Sequence, residues 1–317
     1  MDRGEGLIEI VKYSPENKRL WDDFVEGSKN GTFLFKRDYM DYHSDRFQDN
    51  SFLIYRKGKL YCLLPANIKE DVLYSHQGLT YGGVVMSDKC TAEGILDVFS
   101  SLRNYLSNRG VKKIIYKPVP YIYSSRPSQE DLYALFRLNA NLIIRNISST
   151  INISSPLKFI KDRRAALRKG IAAGLLVEES DNLAPFWRIL EDNLAGKYGA
   201  TPVHSLSEME NLKAKFPGNI RLYLAKKEEN VLGGILCYIT ENVVHAQYIS
   251  ASLEGKECGA IDLLMDFLIH EKFTERNYFD LGTSNEDGGR YLNETLIYQK
   301  EGFGGRAVCY DTYEIPL

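Results

Sequence analysis

Lys300 lies in the segment Lys-Glu-Gly-Phe-Gly-Gly, close to the carboxyl end of the sequence. An ammonium group here could bind a phosphate or carboxylate of a substrate, or an oxyanion; the alternative is a helix C-terminal lysine that complements the helix dipole. The polar segment Asn285-Glu286-Asp287-Gly-Gly-Arg290 follows a predicted strand. Asn285 could orient an acceptor, Glu286 could take its proton and Arg290 could bind an anion, unless the segment is only a solvated turn.

A glycine-rich loop, residues 75–83, carries polar and aromatic side chains that could contact a ligand. His76, Thr80 and Tyr81 stand there among glycines, which allow a backbone to approach a ligand closely. A histidine titrates near neutrality, so His76 could act on an amine. The alternative is a loop of tight turns with one capping histidine.

Tyr248 and Ser250 alternate with Ile249 on the predicted strand of residues 243–250, so both point to one face. They could line a pocket for an acyl group, or Tyr248 could simply pack in the core with its hydroxyl satisfied. His245, on the same strand, is interpreted as a core residue.

A basic segment is predicted to lie on a helix that begins at Ser154-Ser155-Pro156 and ends near Ala173. Arg164 and Arg168 share one side of this helix, and Arg164 also falls on its apolar stripe, where a charge requires a partner. Phosphates of a nucleotide-linked sugar, a lipid-linked precursor or a tRNA acceptor stem would supply one. A solvated basic face with an internal salt bridge is the alternative.

Composition and missing motifs exclude several classes of function. Lys plus Arg is 40 and Asp plus Glu is 42, a net charge of −2, which argues against a DNA-coating protein. The five cysteines form no C-x-x-C and the five histidines no H-x-x-x-H, so neither a disulfide framework nor a protein-ligated metal site is expected. The sequence also lacks a P-loop and a G-x-S-x-G nucleophile elbow. No long apolar segment indicates a secretory signal or a membrane span, so a cytoplasmic protein is predicted.

Mixed α and β elements occur in the same order in both halves. Each half has a hairpin, a strand, an irregular loop, a long helix, a strand, a short helix and a strand, offset by roughly 165–172 residues. We therefore predict an α/β (α+β) protein of two tandem domains, residues 1–153 and 154–317, each a mixed, mostly antiparallel sheet flanked by helices.

Three segments carry a family resemblance: the basic helix of residues 161–169, the strand ending at Ser250 with the following Gly259-Ala-Ile-Asp-Leu-Leu, and Phe279-Asp-Leu-Gly with the Lys300 segment. On these the second half resembles the GNAT acyltransferase superfamily. The whole chain is similar to the tandem-GNAT group that includes the Fem-type peptidoglycan aminoacyltransferases and their acyl-CoA-using relatives. In Fem-type enzymes a lysine in a K-x-x-F-G setting like that of Lys300 lies at the active site.

The resemblance implies where each substrate would bind. Two neighbouring strands, here residues 243–250 and 278–281, splay apart, and the pantetheine arm of a donor pairs with them. The pyrophosphate then meets amides at a following helix N-terminus, here near Gly259. Implied donor-binding residues are Tyr248, Ser250, Lys256, Gly259 and Ala260, in a loop that departs from Q/R-x-x-G-x-G/A by two added acids. Implied acceptor-binding residues, partly on the first domain, are His76, Thr80, Tyr81, Arg164, Arg168 and Arg290.

The sequence thus predicts an N-acyltransferase that moves an acyl group from an activated donor to an amine of an amino sugar or cell-envelope precursor. Acyl-CoA is the favoured co-substrate, and no tightly bound cofactor is expected. One alternative is an aminoacyl-tRNA-dependent transferase, which the near-neutral charge and the lack of a long helical insertion between residues 178 and 220 disfavour. The other is a non-catalytic GNAT-fold protein that binds a ligand.

Overall fold

The computed structural model describes residues 8–317, so the N-terminal residues used for the signal-sequence prediction lie outside the described part. The described chain has the predicted mixed α/β class and divides into two compact units. The first unit comprises the described residues up to Asn146 together with Asp287–Tyr291 and Cys309–Leu317; the second comprises Ile147–Glu286 and Leu292–Val308. Within residues 8–317, no helix has both the length and the apolar character that crossing a membrane requires.

Residues 8–317 contain helices in both halves of the chain. They are α1 (Lys18–Glu26), α2 (Arg37–Met40), α3 (Ala92–Ser107), α4 (Glu130–Arg137), α5 (Lys161–Ala172), α6 (Ala184–Tyr198), α7 (Leu206–Lys215), α8 (Leu253–Cys258), α9 (Ala260–Phe267) and α10 (Glu294–Gly302).

The strands include both predicted hairpins. They are β1 (Ile8–Lys12), β2 (Phe52–Arg56), β3 (Lys59–Leu64), β4 (Asn67–Lys69), β5 (Val72–Tyr74), β6 (Val85–Met86), β7 (Lys113–Tyr116), β8 (Asn141–Asn152), β9 (Leu176–Ser180), β10 (Ile220–Lys227), β11 (Asn230–Ile239), β12 (Val243–Ala251), β13 (Tyr278–Thr283), β14 (Asn285–Glu286), β15 (Tyr291–Leu292) and β16 (Arg306–Pro316).

In the first unit, β1, β2, β3 and β6 form a sheet in that order, with neighbouring strands antiparallel. Helix α3 packs on it because its apolar residues recur at helical spacing and are buried, among them Phe99 and Leu102. Thr91 caps this helix, since its hydroxyl accepts a hydrogen bond from the Gly94 amide.

In the second unit, β13, β12, β11, β10 and β9 are neighbours in that order. Their central residues are apolar and buried, and α9 covers one face of this sheet. The parallel pairing of β12 with β13 joins only Val243–His245 to Tyr278–Asp280. Beyond these residues the two strands diverge, as the family resemblance implies.

Helix α5 begins later than predicted, at Lys161 instead of Ser154. The Ile160 amide donates to the carbonyl of Gly302, which ties the preceding residues to the end of α10 in an extended conformation. The predicted apolar stripe is also wrong, because Arg164 is exposed and so is much of Ile171. The face that packs inward instead carries Gly170, which lies against the carbonyl of Gly259.

The predicted loop before Gly259 is a short helix, α8. Ser252 starts it, because its hydroxyl accepts a hydrogen bond from the Gly255 amide. Gly259 then adopts φ +82° between α8 and α9, and a Cβ there would lie 2.2 Å from the carbonyl oxygen of Ala166. The glycine therefore allows two helices to approach α5 closely.

Candidate functional site

A cleft of about 570 Å³ opens in the second unit where β12 and β13 diverge. Strands β12 and β13 and helices α5, α6, α8, α9 and α10 contribute to its walls. Its polar lining consists of Arg163, Asn193, Ser250, Lys256, Asp262, Gln299 and Lys300. Its apolar lining includes Leu190, Ile249, Ile261, Leu281, Leu296 and Phe303. An apolar cleft with a few convergent polar groups is typical of a small-molecule site.

Lys300 reaches this cleft from α10, which Asn293 caps by accepting a hydrogen bond from the Leu296 amide. Its Nζ donates to the carbonyl oxygens of Gly282 at 2.9 Å and Thr283 at 2.7 Å. Burial lowers the pKa of Lys300 to about 8, partly offset by the charge of Asp280. An amine with this pKa changes its charge close to physiological pH, which is common at functional sites.

A second cation, Lys256, lies on the α8 side of the cleft. Its Nζ donates to Oδ1 of Asn193. The amide nitrogen of Asn193 in turn donates to Ser250 Oγ and to the carbonyl oxygen of Ala251, both at 2.8 Å. This chain of hydrogen bonds fixes the cleft wall formed by the diverging end of β12.

The third cation of the cleft is largely neutralised. Arg163 of α5 lies 3.3 Å from Asp262 of α9, and its guanidinium stacks on the Phe303 ring. Asp262 is 7% exposed, and burial raises its pKa despite the arginine. The cleft therefore keeps an excess of positive charge on Lys256 and Lys300, which favours an anionic group in a ligand.

Three of the predicted site residues come together in this cleft: Lys300, Lys256 and Ser250. Tyr248 lies behind the wall, where its hydroxyl contacts His204 Nδ1 at 2.8 Å and its ring packs edge-on against Trp187. These contacts support the alternative that Tyr248 packs in the core with its hydroxyl satisfied, and not the prediction that it lines an acyl pocket.

Other predicted donor and catalytic residues have different surroundings. Gly259 and Ala260 are buried, and Gly259 packs against α5, so the structure gives Gly259 a packing role while pyrophosphate binding at these amides stays a prediction. Asn285 accepts a hydrogen bond from the Ile147 amide, and Glu286 accepts one from Asn293. Neither side chain is part of the cleft lining; the two residues form strand β14, which precedes α10 in the chain.

The predicted acceptor residues are also not gathered at the cleft. Arg164 and Arg168 lie exposed on α5. His76, Thr80, Tyr81 and Arg290 belong to the first unit. There Thr80 and Arg290 are exposed, while Tyr81 is buried and its hydroxyl donates to Thr32.

His76 is buried and stacks on His43, with ring centroids 5.2 Å apart. Burial lowers its pKa to about 3, and the nearby charges of His43, Lys117 and Arg37 act in the same direction. The imidazole is therefore neutral at pH 7 and is not exposed to an acceptor, which contradicts the role predicted for it. Its φ of +68° marks a left-handed turn.

This buried histidine predicts acid sensitivity. The unfolded chain binds a proton near pH 6.5 while the folded one does not until about pH 3, so the free energy of unfolding falls as the pH drops through this range, by up to about 1.4 kcal/mol per pH unit. His76→Asn, which tolerates the positive φ, should flatten this dependence in urea titrations at pH 4 to 7. The exposed His270 provides the control, and an equal flattening in His270→Asn would contradict the prediction.

Sequence reasoning missed the cleft residues of α6 and α9, and it assigned His245 to the core. Asn193 and Asp262 lie on helices whose sequence pattern shows only amphipathic spacing. Asp262 stands three residues after Gly259, on a helix face that is buried. A charged residue at a buried position was the one signal in the sequence that could have identified it as a site residue. His245, in contrast, pairs with Asp280 across the neighbouring strand.

Comparisons with known proteins find a matching domain model and structures of similar fold. The acetyltransferase (GNAT) domain model matches residues 158–291, which contain both diverging strands. The crystal structure of FemX is 13% identical with a TM-score of 0.69, covering 98% of this chain and 97% of that one. L-PGS from Bacillus licheniformis is 11% identical with a TM-score of 0.60, covering 95% and 91%. The C-terminal domain of "Putative Lysylphosphatidylglycerol Synthetase from Agrobacterium fabrum" is 10% identical with a TM-score of 0.60, covering 94% and 91%. No curated protein matches the chain in sequence.

Proposed function

From the acetyltransferase (GNAT) domain that residues 158–291 form, we propose that this protein is a Fem-like N-acyltransferase whose acyl donor and acceptor amine meet beside Lys300. The observation that carries the proposal is the cleft at the divergence of β12 and β13, with a half-buried lysine of lowered pKa in its wall. A GNAT-type acyltransferase fold with this cleft can hold an acyl group and an amine in contact, which is the largest requirement of the reaction.

The chemistry we propose is direct attack of the amine nitrogen on the acyl carbonyl. Negative charge develops on the carbonyl oxygen, and the Lys300 ammonium, fixed by two backbone carbonyls, would stabilise it. A cysteine intermediate is disfavoured in the second unit, because burial raises the pKa of the Cys237 and Cys258 thiols and keeps them protonated.

The positive charge of the cleft supports a phosphate-bearing donor, and two donors carry phosphate. Acyl-CoA is supported by the diverging strands and by Lys256 at their end. Its predicted pyrophosphate contacts at Gly259 are buried, so phosphate binding would rest on the lysine side chains. The acceptor would be an amine of an amino sugar or cell-envelope precursor, which follows from the Fem resemblance alone.

Aminoacyl-tRNA is the second donor, and a specific feature favours it. Helix α5 and the segment before it carry exposed basic side chains near the cleft residue Arg163: Lys158, Lys161, Arg164, Arg168 and Lys169. Such a surface suits an RNA backbone. The fold is also shared with FemX, with L-PGS and with a putative lysylphosphatidylglycerol synthetase, whose name indicates transfer of an aminoacyl group.

Calorimetric titration with acetyl-CoA, one longer acyl-CoA and charged tRNA tests the proposal. Binding of at least one donor is expected, and Lys256→Glu should weaken it about tenfold or more, because a phosphate then meets a carboxylate. A tRNA donor would also show affinity that falls steeply with salt concentration.

Lys215→Glu is the matched control, since Lys215 is exposed on α7 and outside the cleft lining. The same loss of affinity in both variants would indicate a general charge effect and contradict a phosphate site at Lys256. A protein that binds none of the three donors and transfers no acyl group would favour the non-catalytic alternative.

A further inference from the structure

A histidine and an aspartate form a buried pair at the point where β12 and β13 separate. Nδ1 of His245 lies 2.8 Å from Oδ2 of Asp280, and the two residues are the last partners in the parallel register. The aspartate is fully buried. Its other carboxylate oxygen accepts hydrogen bonds from the hydroxyls of Ser148 and Thr150. Such bonds keep a carboxylate charged and fixed in orientation.

The pair determines which imidazole nitrogen is free. A carboxylate only accepts, so Nδ1 must carry the proton and Nε2 of the neutral ring presents its lone pair. Within residues 8–317, Nε2 has no hydrogen-bond partner, and 15% of the side chain is exposed. In a histidine that acts as a general base, one ring nitrogen carries a free lone pair while a carboxylate holds the other nitrogen in place. The His245–Asp280 pair has this arrangement.

The imidazole lies beside the cleft. Its Cε1 atom is 3.4 Å from the position that a Cβ on Gly282 would occupy. The Gly282 carbonyl accepts the hydrogen bond from Lys300, and Lys300 lines the cleft. The His245 ring and the proposed oxyanion-stabilising Lys300 thus both lie close to Gly282, which has a positive φ of +74°.

We infer that His245 is the general base of the acyl transfer, with Asp280 as the residue that positions it. This role rests on the proposed function. As the amine nitrogen bonds to the acyl carbon, its proton passes to Nε2. When the bond from carbon to the donor oxygen or sulfur breaks, Nε2 returns the proton to that leaving atom, so the enzyme ends unchanged.

The charged and titratable groups around the imidazole come from each neighbouring strand and from α10. They are Asp280 on β13 and the Lys300 ammonium on α10. Tyr238, the register partner on β11, donates its hydroxyl to the sulfur of Met209. The acid limb of the pH–rate profile should therefore report this pair, because a protonated Nε2 cannot accept the proton of the amine.

His245→Asn tests the inference, because an asparagine amide can still donate to Asp280 but offers no base. With the donor identified by titration and an amine acceptor, kcat should fall about 10²-fold or more with little change in KM, and the acid limb should disappear. His270→Asn is the matched control: its ring also pairs with an aspartate, Asp266, but on the exposed surface, and its kinetics should equal those of the wild type.

Two results would overturn the role of His245 and leave the proposed function intact. One is a His245→Asn protein that keeps wild-type kcat and pH profile while the wild type transfers acyl groups. The other is ring ¹⁵N NMR of the wild type that shows the proton on Nε2 at neutral pH, a measurement that needs no substrate. Failure of the wild type itself to bind donors or transfer acyl groups would instead overturn the proposed function and this role with it.

Discussion

Lys300→Met is expected to lower kcat/KM for acyl transfer by about 10²–10³-fold, the usual effect of removing one oxyanion-stabilising donor. The ammonium lines the cleft and is held by the carbonyls of Gly282 and Thr283, so its charge costs no reorganisation when the carbonyl oxygen becomes negative. Methionine keeps most of the side-chain volume and removes the charge. The measurement is steady-state kinetics with the donor that binds.

The pH dependence gives this prediction a second readout. The pKa of Lys300 is lowered to about 8, so the cation is present below this pH and is lost as the pH rises through it. The rate of the wild type should therefore fall on the alkaline side of about pH 8, and the alkaline limb should be absent in Lys300→Met. Lys300→Arg keeps the charge at all these pH values and should retain more activity without that limb.

Lys272→Met is the control, because Lys272 pairs with Glu179 outside the cleft lining. Thermal unfolding of each variant separates lost stability from lost chemistry, since Lys300→Met also leaves two backbone carbonyls without their donor. Near-wild-type kcat/KM in folded Lys300→Met would contradict the oxyanion role.

Gly259→Ala is expected to lower the free energy of unfolding by about 2–5 kcal/mol. An alanine at φ +82° costs about 1–2 kcal/mol, and overpacking costs about 1–3 kcal/mol more. The clash is with backbone, since the new Cβ would lie 2.2 Å from the Ala166 carbonyl oxygen, so α5 must move. Urea unfolding of the purified variant measures the loss.

Gly174→Ala separates the two causes. Gly174 also has a positive φ, of +72°, but a Cβ there meets nothing within 4 Å. Its variant should show only the backbone cost, about 1–2 kcal/mol. Equal losses in the two variants would show that α5 does not pack on Gly259 as described. If Gly259→Ala remained as stable as the wild type but lost donor binding, the phosphate role predicted from the sequence would be supported.

The sequence by itself determined the elements whose signals are local. The two hairpins and the strand of residues 243–250 follow from alternation and from turn residues that lie next to one another in the chain. A family resemblance also depends on local sequence patterns. It therefore identified three residues of the cleft: Lys300, Lys256 and Ser250. For the same reason the sequence predicted α/β elements repeated in two halves.

Only the tertiary structure decided which residues share the cleft. Arg163 pairs with Asp262 and Asn193 holds the end of β12, but these partners are distant in sequence and their spacing predicts nothing about their contact. A glycine at position 259 is compatible in sequence both with phosphate binding and with close packing of α5. The observed contact of Gly259 with α5 supports the packing role. His245 pairs with Asp280 because β12 and β13 lie parallel in one register, and register depends on the assembled sheet, not on either strand alone.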